Sequence, residues 1–543
     1  MDDIVKIVYL VYSHSLFQHL FLLSIFHILT WSYILKGDWC SDDWEGVWQF
    51  SDKFARHQDQ VTGKIIKEEV IDFYENEIEK DGKKEKKKYK NRQFNPHIEF
   101  PGCVIRWLRL NLGSKYQVLG KNEKQHEIWG HVQSARKHHW ISWMIQFLNT
   151  LLAYFFLRNV VDDKLAFLAI LLFSIHPVSV QVTAWISGIG YLLSLTWLLL
   201  SLNIVYWIPN PLIHTPIIAF LTFLSACNLL SGMANFIVLA FLGFWWAALA
   251  AVLVSIYAFS KQGLEVIRYR VKAFVDQNMG KSTNVTWRKP ILMLKSFYYY
   301  IKLLMFPKRL GLYHEWGYHY DEKIDRWDWM STKGLACLGL CLFLFIFGPM
   351  PIKLGVLWMV IYLSLFLNLV TAQQTVADRY AFLSSLGFSI LIAFLFQNSP
   401  VLYTFIFTLY LMRTWVHLPT FDNEVKFYQS NCWNFNSEVA LGNLGVTYQR
   451  LQLFGMAFDS WRLATRLYDG YDVPHYNLYS AHLASGNLTE ARNHLQKCLS
   501  AKVCHFDKIW KKDMENIDRL IYLNRPIKDH LKDINKQIME VKP

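Results

Sequence analysis

Hydrophobic segments of bilayer length fill residues 16 to about 417 of this chain, and a polar stretch with a 34-residue internal repeat follows them. That pairing constrains the fold to an all-α membrane protein: a helical bundle and then a small α-solenoid. The apolar segments lie near 16–35, 140–157, 165–182, 185–207, 212–231, 235–259, 291–306, 333–349, 352–371, 378–396 and 399–417. Against a hydrocarbon core about 30 Å thick they predict about eleven transmembrane helices, several of them short. With 53% hydrophobic and 16% aromatic residues among 543, and a mean hydropathy of +0.15, the apolar mass exceeds what one water-soluble globule of ordinary composition holds. No A-x-A-like site follows the first segment, so it reads as a retained anchor.

Adding 34 to landmarks of the polar stretch carries Leu444 to Leu478, Tyr448 to His482, Ala457 to Ala491, Trp461 to Leu495 and Ala464 to Cys498. Small and large residues recur where paired helices need them, which is the tetratricopeptide period. Two units are clear, from about 438 to 504. A solenoid this short needs a cap from 420–437 or 505–540, and Ile509, Met514, Ile517, Ile521 and Leu523 form an apolar stripe in the latter. The expected division is therefore a membrane domain over 1–419 and a tail over 420–543.

Charge orients the chain. Lys261, Arg268, Arg270, Lys272, Lys281, Arg288 and Lys289 between two segments place that connection in the cytoplasm. Counting outward, the N-terminus is cytoplasmic and the tail external, as are the 36–139 connection, the His176 turn, the turn near Gly232, 307–332 and the loop ending at Asp378. A basic insertion, Lys83 to Arg92, falls in the long external connection, where loop length outweighs charge in setting topology. It reads as a solvated Lys/Glu-rich stretch, or as a holder of phosphate or anionic headgroups. The net charge of +13 points to membrane-surface electrostatics, and nothing resembles a nucleic-acid-reading module. Eight cysteines without Cys-x-x-Cys spacing indicate neither a zinc site nor a redox motif.

Four places hold candidate chemistry. Gly37-Asp38-Trp39-Cys40-Ser41-Asp42-Asp43-Trp44 sets three carboxylates at the end of the first segment, either a hydrophilic stop or the site of a general base. His176-Pro177 breaks two spans, and His176 suits a structural turn, a phosphate hydrogen bond or a proton shuttle. Asp378-Arg379-Tyr380 opens a later span; Arg379 can clamp a phosphate with Asp378 steadying its fork, or the two can pair only with each other or with the backbone. The stretch 297–320, with Tyr298, Tyr299, Tyr300, Lys308, Arg309, Tyr313, His314 and Trp316, is an interfacial belt or a groove for a lipid chain and sugar.

In this order, followed by the repeats, these pieces resemble the polytopic glycosyltransferases with tetratricopeptide tails, both the bacterial members and the transmembrane and tetratricopeptide-repeat O-mannosyltransferases. The resemblance is strongest in Phe173 to Ser194, Ala377 to Phe388 and the repeats. It implies a GT-C-type membrane fold, a polyprenyl-phosphate sugar donor and no certain cofactor; a divalent metal stays open but is not indicated, and no residue is assigned to one. Carried over by motif, Asp42 or Asp43 is the base, and His139, His176, Asp378, Arg379 and Tyr380 serve the donor phosphate, with Lys308 and Arg309 beside them. The chain departs from the pattern at Gln181, where the family has glutamate; at Ile189 and Tyr191, where it has an arginine and an acid; and at Gly232, where it has a Lys-Glu pair.

The function expected is transfer of a sugar from the lipid carrier to a protein or glycan hydroxyl on the external face, with the tail surface presenting the acceptor. Few repeats and a compact length favour a bacterial inner membrane over the endoplasmic reticulum. The alternative is a membrane-anchored scaffold whose catalytic core has decayed. A transporter is the weakest reading, because no hydrophobic half is duplicated.

Overall fold

The computed structural model describes residues 15–37, 40, 73–80, 83–90, 116–121, 127–131, 135–228, 230–260, 289–312, 314, 327–367, 376–501 and 507–523. Asp42 and Asp43, the basic connection 261–288, Tyr313 and Trp316 lie outside them. Helices make up the bundle and the tail. Strands among the described residues are confined to the long connection, as two antiparallel hairpins: β1 (Phe73–Lys80) with β2 (Lys83–Lys90), and β3 (Tyr116–Lys121) with β4 (Glu127–His131).

The bundle runs α1 (Ser15–Trp31), α2 (Arg136–Arg158), α3 (Asp163–Ile175), α4 (Ser179–Ala184), α5 (Ile189–Trp207), α6 (Pro211–Asn228), α7 (Asn235–Phe241), α8 (Trp245–Ala258), α9 (Lys289–Met305), α10 (Trp329–Phe347), α11 (Met350–Ser364), α12 (Phe382–Phe396) and α13 (Pro400–His417). Among the described residues six stretches are long and apolar enough to cross a membrane: Leu16–Lys36, Arg136–Arg158, Ile186–Trp207, Trp329–Phe347, Asp378–Phe396 and Pro400–Phe421. The outer faces of α10 and α13 bear Leu342, Phe343 and Phe347, and Val401, Phe405 and Val416, all exposed. Such a band is stable only in lipid, so this is a membrane protein.

Helices sit on the apolar segments, but two segments are interrupted. The 165–182 segment stops at Ile175 before the His176-Pro177 turn, and 235–259 is broken at Leu242–Phe244, where Gly243 takes φ 88°. Caps fix the ends: Asp162 Oδ1 accepts from the Leu165 N–H at 2.9 Å, and Asp328 and Ser331 form a reciprocal capping box at α10. Arg158 closes the α2–α3 turn by forking onto Asp163 at 2.8 and 2.9 Å.

Buried polar side chains fasten the spans to one another. Asn149 Nδ2 on α2 donates to the Leu192 carbonyl and its Oδ1 accepts from Thr196 Oγ1 of α5, while Asn235 of α7 donates to Ser201 of α5 and Thr222 of α6. Interhelical hydrogen bonds of this kind contribute about 0.6–2 kcal/mol each. Elsewhere contact is steric. α11 and α12 meet where Gly355 faces Gly387, and a Cβ on Gly387 would lie 2.5 Å from the Gly355 carbonyl oxygen. Gly387→Ala is expected to destabilise the protein by about 1–3 kcal/mol through overpacking, read as a lowered unfolding midpoint in detergent.

The tail continues with α14 (Glu424–Phe435), α15 (Glu438–Arg450), α16 (Phe454–Leu467), α17 (Asp472–Ala484), α18 (Leu488–Ser500) and α19 (Asp507–Leu523), each packed on the next. The 34-residue counterparts Leu444 and Leu478, Ala457 and Ala491, Trp461 and Leu495, and Ala464 and Cys498 are all buried. Both flanks cap the stack: Phe427 and Tyr428 of α14 join one end of its core, and Met514, Ile517 and Ile521 of α19 the other. Phe427, Leu444 and Trp461 also share one cluster with Trp31, Ile34, Val180 and Trp185 of the bundle, so residue 419 marks no break in packing.

Between α17 and α18, His475 Nδ1 and His494 Nδ1 are 3.0 Å apart. His475 Nε2–H donates to Asp469, so His494 is the donor of the pair. Burial, then His475, His482 and Lys497, push His494 down from 6.5 to about 4, against a small opposing pull from Glu490. A folded pKa below the unfolded one means that the unfolded chain binds the proton first as pH falls, so stability present above about 6.5 is lost down to about 4. The tail's unfolding temperature should fall across that window, and the slope should shrink in His494→Asn.

Candidate functional site

The site grows from a single 3-10 turn, Asp378–Ala381, at the start of α12. With three residues per turn, consecutive side chains point about 120° apart, and the adjacent ions Asp378 and Arg379 go to different neighbours. Both are buried, at 1% and 8% exposure. Asp378 Oδ2 accepts from the Gly311 N–H at 2.6 Å and Oδ1 from His314 Nε2 at 2.9 Å. The carboxylate therefore anchors the segment after α9.

Arg379 turns toward α4 and α5. Its backbone N–H donates to Gln181 Oε1 at 2.7 Å. The guanidinium lies 4.7 Å from the Tyr380 ring centre and 5.6 Å from that of Trp185, and it hydrogen-bonds to Tyr380 and Tyr191. Tyr380 in turn stacks on Phe366, 4.5 Å between centres. Gln181 and Tyr191, two of the departures from the family pattern, are thus partners of Arg379, and both are neutral. A guanidinium always carries its charge, and inside an aromatic and amide wall it is suited to stabilising an anion such as a phosphate oxygen.

The same wall receives the chain leaving α1. Trp185 Nε1 donates to the Cys40 carbonyl at 3.2 Å, and Cys40 Sγ lies 3.6 Å from the Phe421 carbonyl. Three residues earlier the backbone passes so close that a Cβ on Gly37 would lie 3.0 Å from the Phe421 oxygen and 3.1 Å from His139 Nε2. His139 is itself buried. Asp42 and Asp43 follow Cys40 by two and three residues in the sequence and lie outside the described residues.

His176 follows α3 at the turn before α4. Its Nδ1 accepts from the Val178 N–H at 3.3 Å and its Nε2–H donates to the Leu304 carbonyl at 3.1 Å, with Tyr410 edge-on at 4.9 Å. Both ring nitrogens are occupied by backbone, so in this conformation it fastens the turn to the end of α9. Lys308 and Arg309 are exposed; the carbonyls of Pro307 and Lys308 accept from Arg413 at 2.7 and 3.0 Å.

Four contributors escaped the sequence reading: Trp185 and Tyr191 as walls, His314 as the Asp378 partner, and Arg413. Arg413 carried a readable signal, a lone cation inside an apolar segment. The others did not, because their partners lie far away in sequence. Among the described residues no group of three or more His, Cys, Asp or Glu converges as a metal would require, and Cys40, Cys337, Cys341, Cys432 and Cys498 form no disulfide with one another. No protein-family model, curated protein or solved structure matches the chain.

Gln181→Leu strips the acceptor from a buried Arg379 N–H and should lower stability by about 1–3 kcal/mol. Gln181→Glu keeps an acceptor and should recover most of that loss, compared by thermal unfolding in the same detergent.

Proposed function

We propose that this protein is an inverting membrane glycosyltransferase of the GT-C type that moves a sugar from a polyprenyl-phosphate carrier to a hydroxyl on a protein or glycan. The observation that carries the reading is the shared Trp185 wall: its indole holds the Cys40 carbonyl on one side and the Arg379 guanidinium on the other. A carboxylate two or three residues beyond Cys40 and a buried cation are the two charges such a transfer needs.

In the proposed reaction Asp42 or Asp43 takes the proton of the acceptor hydroxyl, and the hydroxyl oxygen forms the new bond to the anomeric carbon. The bond from that carbon to the carrier's phosphate oxygen breaks, and Arg379, with Tyr380 beside it, stabilises the phosphate that departs. His139, behind Gly37, supports the chain that carries the base. The wider picture is an eleven-span bundle in a bacterial inner membrane, with α15 to α18 as external tetratricopeptide units that present the acceptor. Support for this picture comes from the apolar segments, the basic connection 261–288 and the recurrence of buried residues at 34-residue intervals.

Purified protein given labelled sugar on a panel of polyprenyl phosphates should transfer it, and Asp42→Asn/Asp43→Asn should lower the rate by about 100-fold or more while donor binding persists. Arg379→Lys keeps the charge but loses the planar fork and should lose much of the rate. Folded protein that neither binds donor nor transfers sugar would overturn the reading in favour of a membrane-anchored scaffold.

A further inference from the structure

The segment after α9 is gripped from two sides. From the bundle, Asp378 holds the Gly311 N–H and His314 Nε2, while the Tyr299 hydroxyl meets His314 Nδ1 at 2.8 Å. From the tail, α14 contributes three contacts. Asn431 Oδ1 accepts from the Leu312 N–H at 2.7 Å, Asn434 Nδ2 donates to the Leu310 carbonyl at 2.9 Å, and the Phe435 ring centre lies 4.3 Å from that of His314. Asp378, His314 and Asn431 are all buried.

A carboxylate accepts only, so His314 carries its proton on Nε2, and in the neutral ring Nδ1 accepts from Tyr299. Every oxygen of Asp378 is then directed by this strap. Because Asp378 and Arg379 are adjacent in one tight turn, whatever fixes the first fixes the start of the second. The approach is close enough to be tested sterically: a Cβ on Gly311 would lie 2.6 Å from Asn431 Oδ1 and 2.7 Å from the Phe435 ring.

We infer that Asn431 and His314 are positioning residues for Arg379, acting through the Leu310–His314 strap and Asp378, so that the tail helix α14 sets the geometry of the guanidinium in the bundle. The kinetic part of this inference rests on the transferase reading above; the structural part does not. A shift of the strap by the few tenths of an ångström to an ångström that an added methyl forces would reach Arg379 with one intermediate residue.

The test compares Gly311→Ala, which keeps every donor and acceptor but wedges α14 from the strap, with Asn431→Leu and Asn431→Asp. Hydrogen exchange of the 377–382 backbone in the full-length protein is read by mass spectrometry. Gly311→Ala and Asn431→Leu should speed that exchange by about tenfold, with 438–500 still protected; Asn431→Asp keeps the Leu312 acceptor but loses the donor to the Phe427 carbonyl and buries a charge, so it should speed exchange as well. In the transfer assay the first two should lower kcat by about tenfold or more with donor KM within about twofold, because misplacement acts on the transition state. Unchanged exchange at 377–382 in both Gly311→Ala and Asn431→Leu overturns the inference, as does unchanged kcat in an active enzyme. A wild-type protein without transferase activity overturns only the preceding reading, and the exchange comparison still decides this one.

Discussion

Two opposite charges side by side and out of water are the constraint around which the rest is arranged. Desolvating an ion costs several kcal/mol unless strong hydrogen bonds replace water, and Asp378 and Arg379 each meet that cost separately. The 3-10 turn sends the carboxylate to backbone and imidazole donors of the strap, and the guanidinium to an aromatic wall. Satisfying both recruits α4, α5, α9 and α14 to one point. The turn is therefore a junction of the fold as well as the centre of the candidate site.

That dual role explains which parts of the site could be read from sequence. An acid, a base and a tyrosine at the start of an apolar span are conspicuous whatever surrounds them. Their partners are not: Gln181 is 198 residues from Arg379 and His314 is 64 from Asp378, and no spacing rule spans such distances. The departures at Gln181 and Tyr191 looked like losses because a missing charge is visible in sequence. Only the structure brings the two replacements to the same arginine, where an amide oxygen meets a backbone N–H that never required a carboxylate.

Hydropathy located the helices because burial in lipid writes itself into composition. It did not show where a helix breaks within a segment, because a polar turn such as His176-Pro177, or a glycine such as Gly243, barely changes a window average. His176 shows the same limit on a single residue. A histidine at a span break suits a structural turn as well as a phosphate contact or a proton shuttle, and its position does not say that backbone groups at Val178 and Leu304 take both of its nitrogens. The tail's period was legible because stacked helix pairs repeat their small and large residues. Its union with the bundle was not, since Trp31 and Ile34 carry no mark of pairing with Phe427 and Trp461.

That union has a consequence for how the chain is made. Tyr33 hydrogen-bonds to Asp422 across 389 residues, and Cys40 reaches the Phe421 carbonyl across 381. The chain that leaves α1 cannot meet either partner until residues 421 and 422 have left the ribosome. Contacts this distant in sequence form late, so while the bundle helices are being made Tyr33 and Cys40 wait for Asp422 and Phe421. A chain cut short before residue 421 would carry every described bundle helix and still lack its latch.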